Sequence, residues 1–124
     1  MTQQKNTKVL VVDDHPLSRD LFCEVLTSAG YAVRAASDGL NAIRHMEETR
    51  FDVVLTDLSM PQMDGLELLT KIRDRWPDSR VVEHSTRLSW SVARLALEEG
   101  AYACLSTDNT VQLLKTIASA SLAA

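Results

Sequence analysis

Three aspartates, Asp13, Asp14 and Asp57, each close an apolar run. Val9-Leu10-Val11-Val12 ends in Asp13-Asp14, and Phe51-Asp52-Val53-Val54-Leu55-Thr56 ends in Asp57. Aliphatic runs without alternation read as strands buried on both faces. Residues 59–65 after Asp57 have loop composition. An acid at the end of such a strand stands at the rim of a sheet, so two such strands suggest one shared acidic pocket. Clustered carboxylates raise one another's pKa unless a cation joins them. A hard divalent ion with oxygen ligands, Mg2+ above all, relieves that conflict. Mg2+ also takes phosphoryl oxygens, which suits the pocket to phosphoryl transfer onto a carboxylate. Asp57 is then the nucleophile, and Asp13 and Asp14 hold the metal. Any one of these acids alone is better read as a helix cap or the start of a turn; the three together at matched strand ends favour a site.

The elements that must position these acids follow along the chain. Residues 8–12 read as a strand. Pro16 suits the first turn of a helix, with Leu17, Leu21, Val25 and Leu26 at helical spacing and Gly30 as its stop. Tyr31, Val33 and Ala35 alternate with small or polar residues, as in a short edge strand. A second helix carries Leu40, Ile43 and Met46, and leads to a third strand over 52–57. The third helix has the stripe Leu66, Leu69, Ile72 and Trp76. A strand over 80–85, a helix over 88–99 on Val92, Leu95 and Ala96, a strand over 101–105 and a helix over 109–121 on Val111, Leu114 and Ile117 complete the pattern. Five strands alternating with five helices imply an α/β, all-parallel sheet with right-handed crossovers and helices on both faces. Ligands of such sheets bind beyond the carboxyl ends of the strands, where all three acids stand.

Size and charge narrow the function. The 124 residues fit one domain, set at 8–121 between a frayed segment 1–7 and a fraying end 122–124. A net charge of −4 argues against direct binding to nucleic acid. Cys23 and Cys104 lie far apart with no metal-ligand spacing, as expected of thiols in a reducing compartment. The polar N-terminus has no signal-peptide core, and no apolar run nears the ~20 residues that span a bilayer. A cytoplasmic protein without membrane contact is expected.

The stretches Val9-Leu10-Val11-Val12-Asp13-Asp14-His15-Pro16 and Asp57-Leu58-Ser59-Met60-Pro61-Gln62-Met63-Asp64-Gly65 resemble the receiver domain of two-component response regulators. The resemblance covers residues 8–121. It implies a flavodoxin-like (βα)5 fold with strand order 2-1-3-4-5. It implies that Asp57 accepts phosphate from the phosphohistidine of a histidine kinase or phosphotransfer protein. Mg2+ would be held by Asp13, Asp14 or both, Asp57 and the backbone carbonyl of Ser59. Ser85 takes the place of a switch hydroxyl at the end of the fourth strand. Such a domain is a signalling phosphoacceptor rather than an enzyme. Its further partners would be an output domain, or a second copy through the face of helix four, strand five and helix five.

Several residues depart from the family. Thr107 and Asp108 stand where it has Lys and Pro, so a mobile positive charge is replaced by a hydroxyl and the following bond is expected trans. Cys104 stands where a strand-five aromatic swings. The fourth strand carries Glu83 and His84, which point to opposite faces. Burying an unpaired Glu costs several kcal/mol or forces it neutral. The fourth strand is therefore expected to be shortened or displaced, or Glu83 to pair with Arg87 or His84. These departures favour an alternative function, a phosphorylation-independent or weakly phosphorylated pseudo-receiver acting by protein contact. The intact acid set argues against it. A dehalogenase-type phosphatase needs Asp-x-Asp and meets Ser59 instead. A flavodoxin's FMN phosphate would be repelled by Asp13-Asp14. His15 and His45 read as exposed, and Trp90 either as core or as an interface anchor.

Overall fold

The computed structural model describes residues 7–60 and 63–123; residues 1–6 of the expected frayed segment, and Pro61, Gln62 and Ala124, lie outside the described residues. Five strands, β1 (Lys8–Val12), β2 (Ala32–Ala36), β3 (Val53–Asp57), β4 (Arg80–Ser85) and β5 (Ala103–Ser106), alternate with five helices. These are α1 (Pro16–Ser28), α2 (Gly39–Glu48), α3 (Gly65–Arg75), α4 (Trp90–Glu98) and α5 (Thr110–Ala123). The strands form one sheet in the order β2-β1-β3-β4-β5, and every neighbouring pair is parallel. Both the pattern and the order match the expectation, and β2 is an edge strand.

The buried runs of β1 and β3 sort their side chains by the pleat. Leu10, Val12 and Val54 face α2, α3 and α4, while Val9, Val11, Val53 and Leu55 face α1 and α5. Helix starts follow local capping. Pro16 occupies the first turn of α1, Asp38 accepts the Asn41 N–H, Asp64 accepts the Glu67 N–H, and Ser89 accepts the Val92 N–H. At the far end of α1 and α4, Gly30 and Gly100 turn the chain with φ of 103° and 111°. No peptide bond among the described residues is cis, so the Thr107–Asp108 bond is trans, as expected.

Several helical stripes are misplaced in the sequence reading. In α1, Phe22 and Leu26 are buried while Leu17 and Leu21 are exposed. In α2 the buried residues are Gly39, Ala42 and Met46, and Leu40 is exposed. In α4 only Ala96 is buried; Val92 and Leu95 lie at the surface, with Trp90 at 89% exposure. In α5, Leu113, Ile117 and Ala120 are buried and Val111 is exposed. Each of these helices carries more apolar residues than one face can bury, so spacing alone fits two phases.

β4 corrects a larger expectation. It is neither shortened nor displaced: it pairs in full register with β3, and with β5 over Val82–Ser85. Glu83 and His84 are both buried, and neither carboxyl oxygen of Glu83 has a hydrogen-bond partner. Arg87 is exposed, and His84 turns to the opposite side, so neither is a partner for Glu83. Burial, then the charges of Asp64 and Asp57, push the Glu83 pKa up to about 9, so the carboxyl is neutral. Small neighbours give it room. Cys104 is its register partner on β5, and a Cβ on Gly65 would run into the Glu83 carboxyl and lie 2.5 Å from the Asp57 carbonyl oxygen. The same burial, with Glu83 nearby, raises the Cys104 thiol to about 11, leaving it a small apolar filler.

Candidate functional site

The carboxyl ends of β1 and β3 are neighbours because the two strands pair directly, Val12 opposite Thr56. One residue beyond, Asp13 leaves β1 with its N–H bonded to the Ala36 carbonyl at 3.1 Å. Asp57 is the last residue of β3. One ligand atom from each of Asp13, Asp14, His15 and Asp57 lies within 4.8 Å of the others. The predicted acids thus converge, and His15, read as an exposed loop residue, joins them while remaining exposed. Its place next to the acid pair was the available signal.

Asp13 is fully buried. Its Oδ1 accepts the His15 N–H at 2.9 Å, while its Oδ2 has no hydrogen-bond partner. Asp14 is half-buried, and its Oδ1 lies 3.2 Å from His15 Nδ1. Asp57 Oδ1 accepts the Ser59 N–H at 3.0 Å. Burial raises the pKa of Asp57; the Ser59 N–H counters it, and the Asp14 charge adds to it. Burial likewise raises Asp13, against the His15 N–H. These are carboxylates short of a cation. Their oxygens suit a hard ion: Asp13 Oδ2 accepts no hydrogen bond, and Asp14 Oδ1, beside the His15 ring at 3.2 Å, accepts none either.

A family model described as the response regulator receiver domain matches residues 9–119. The chain belongs to this family. It is a receiver domain of two-component systems, a signalling phosphoacceptor whose family function is phosphorylation on an aspartate. It is 37% identical over 107 residues to the sensor histidine kinase RcsC of Salmonella typhimurium, covering 86% of this chain and 11% of that protein. The receiver thus spans about a tenth of that relative's length. It resembles the chemotaxis response regulator CheY4 of Vibrio cholerae with a TM-score of 0.85 at 31% identity, covering 93% of this chain and 98% of that one. The CheX–CheY–BeF3–Mg2+ complex from Borrelia burgdorferi gives a TM-score of 0.86 at 26% identity, covering 91% and 87%. The phosphorylation-independent alternative is not favoured by these relationships.

The other predicted positions of the receiver lie around the pocket. Ser85 ends β4 and is buried, and its Oγ accepts the Arg87 N–H at 3.1 Å. Thr107 follows β5, its N–H bonded to the Ser85 carbonyl at 3.0 Å. Its hydroxyl meets His84 Nδ1 at 2.9 Å. The His84 ring lies against Phe22, with centroids 4.8 Å apart, and its Nε2 is 3.9 Å from Asp13 Oδ2. Burial drives the His84 pKa down to about 4, against the pull of Asp13, so the ring is neutral near pH 7. In sequence, His84 stands out as a polar residue in a buried strand and as a partner for Glu83; its place beside Asp13 is shown by the fold. No helix among the described residues is long and apolar enough to cross a membrane.

Proposed function

We propose that Asp57 is the phosphoacceptor of this receiver, and that Asp13, Asp14, Asp57 and the Ser59 carbonyl hold Mg2+. The observation that carries this is the meeting of Asp13, Asp14 and Asp57 within 4.8 Å at paired strand ends, with buried carboxylate oxygens left unbonded. Bound there, Mg2+ would supply positive charge to the carboxylates and to phosphoryl oxygens.

The Ser59 N–H holds Asp57 Oδ1 and so leaves the second oxygen to attack. A carboxylate oxygen forms a bond to phosphorus while the bond from phosphorus to the donor's imidazole nitrogen breaks. The electron pair stays on the ring, which is reprotonated by solvent. The donor is a sensor histidine kinase or a phosphotransfer protein. Ser85, adjacent to β3, reports the new group by giving up its bond to the Arg87 N–H. Trp90, Leu97 and Tyr102 leave apolar surface on α4 and just before β5, which supports docking of an output domain or a second copy there. The cytoplasm, where kinases of this kind present their phosphohistidine, is the compartment that fits.

Incubation with acetyl phosphate and Mg2+ is expected to add a single adduct of about 80 Da by intact mass, the increment of an acyl phosphate. EDTA is expected to abolish it. An adduct formed equally well in EDTA would separate phosphorylation from the metal and sink that half of the proposal.

A further inference from the structure

Two atoms at the edge of the pocket face each other without partners. Asp13 Oδ2 and His84 Nε2 are both buried and both lack a hydrogen bond, and they stand 3.9 Å apart. That separation is about 1 Å too long for a direct bond. On its other side the His84 ring is fixed. Phe22 packs on it, and Thr107 Oγ1 sits 2.9 Å from Nδ1. Thr107 is itself fixed by its N–H bond to the Ser85 carbonyl.

A neutral imidazole has one N–H, and the bond at one nitrogen decides which nitrogen carries it. If Nδ1 donated to Thr107, the Nε2 lone pair would face the lone pairs of a carboxylate. If the Thr107 hydroxyl donates to Nδ1, an Nε2–H faces Asp13 instead. Only the second arrangement is attractive. Asp13 is then bonded on Oδ1 by the His15 N–H and, across 3.9 Å, has an N–H dipole of His84 directed at Oδ2.

We infer that Thr107 and His84 form a relay that positions the Asp13 carboxylate for the metal, His84 donating from Nε2 and Thr107 selecting that tautomer. His84 is a positioning residue, since it acts through Asp13. The inference rests on the Mg2+ site proposed above. It gives the two unusual residues one shared task. A hydroxyl after β5 and an imidazole at the end of β4 supply a directed dipole to the pocket. Partners of this kind orient first-contact ligands, and losing one typically costs about 10–100-fold in metal affinity.

Long-range proton–nitrogen spectra of the imidazole rings, with a Mg2+ titration followed on backbone amides, test the relay. In the wild-type protein His84 is expected to carry its proton on Nε2. Thr107→Val, an isosteric change at a half-buried site, is expected to lose that preference and weaken Mg2+ binding about 10-fold. Thr107→Ser is expected to keep both. His84→Gln, whose amide can donate from the Nε2 position, should stay within about 3-fold of wild type, and His84→Leu should lose about 10-fold or more. A wild-type proton on Nδ1, or Mg2+ affinity unmoved in both Thr107→Val and His84→Leu, overturns the relay alone. A wild-type protein that takes up no Mg2+ overturns the metal site and the relay with it.

Discussion

Asp57→Asn is expected to remove the acyl-phosphate adduct, lowering its yield from acetyl phosphate by about two orders of magnitude or more. An amide oxygen is a poor nucleophile beside a carboxylate, and the attacking atom is the one thing the pocket cannot supply twice. Asp13 is not a substitute. It is fully buried, its Oδ1 is held by the His15 N–H, and its Oδ2 faces His84. The amide leaves the Ser59 N–H an oxygen to bond, so the loop after β3 should survive the change. Intact mass of wild type and variant, side by side in Mg2+, checks this. Equal adduct in both would move the acceptor to another residue.

The second large effect concerns stability and pH. Glu83 has an ordinary pKa of 4.5 when exposed and about 9 in the fold. Below 4.5 both states are protonated and burial carries no ionic penalty. As pH rises from 4.5 towards 9, the unfolded chain ionises while the folded one stays neutral. The native state then binds more protons, so its stability falls through this window. His84 acts oppositely and lower down: its folded pKa of about 4, against 6.5, makes stability fall as pH drops from 6.5. Asp13 and Asp57, both raised, add to the Glu83 trend. Subtracting one titration therefore requires a variant. Glu83→Gln keeps the shape and removes the proton. Relative to wild type it is expected to gain stability between pH 5 and pH 8, on the order of 4 kcal/mol. Urea unfolding at the two pH values measures the gain. A difference between variant and wild type that does not change with pH would mean that Glu83 is ionised in the fold.

The pocket was legible because its signal is simple. Each apolar run stops at an aspartate, so Asp13 and Asp57 mark where β1 and β3 leave the core, and parallel pairing brings those ends together. The strand order came from the family resemblance, not from periodicity. Stripe positions on α1, α2, α4 and α5 were legible only in part: Leu26, Met46, Ala96 and Ile117 are buried as expected, while Leu17, Leu21, Leu40, Leu95 and Val111 are apolar residues the fold leaves outside. The place of Glu83 was not legible, because displacement of the strand and pairing of the carboxyl are both cheaper on paper than unpaired burial. The fold uses space and a retained proton instead, with Gly65 and Cys104 as the small neighbours. Thr107 and His84 each stood out in the sequence as departures. What the sequence hid is that β4–β5 pairing brings them within hydrogen-bond reach.

Borohydride reduction of the phosphorylated protein, followed by peptide mass mapping, bears most directly on the acceptor. Reduction converts an aspartyl phosphate to homoserine and leaves free carboxylates untouched. Homoserine at position 57, with Asp13 and Asp14 recovered intact, is the predicted result. Homoserine at position 13 or 14, with Asp57 intact, would contradict the account.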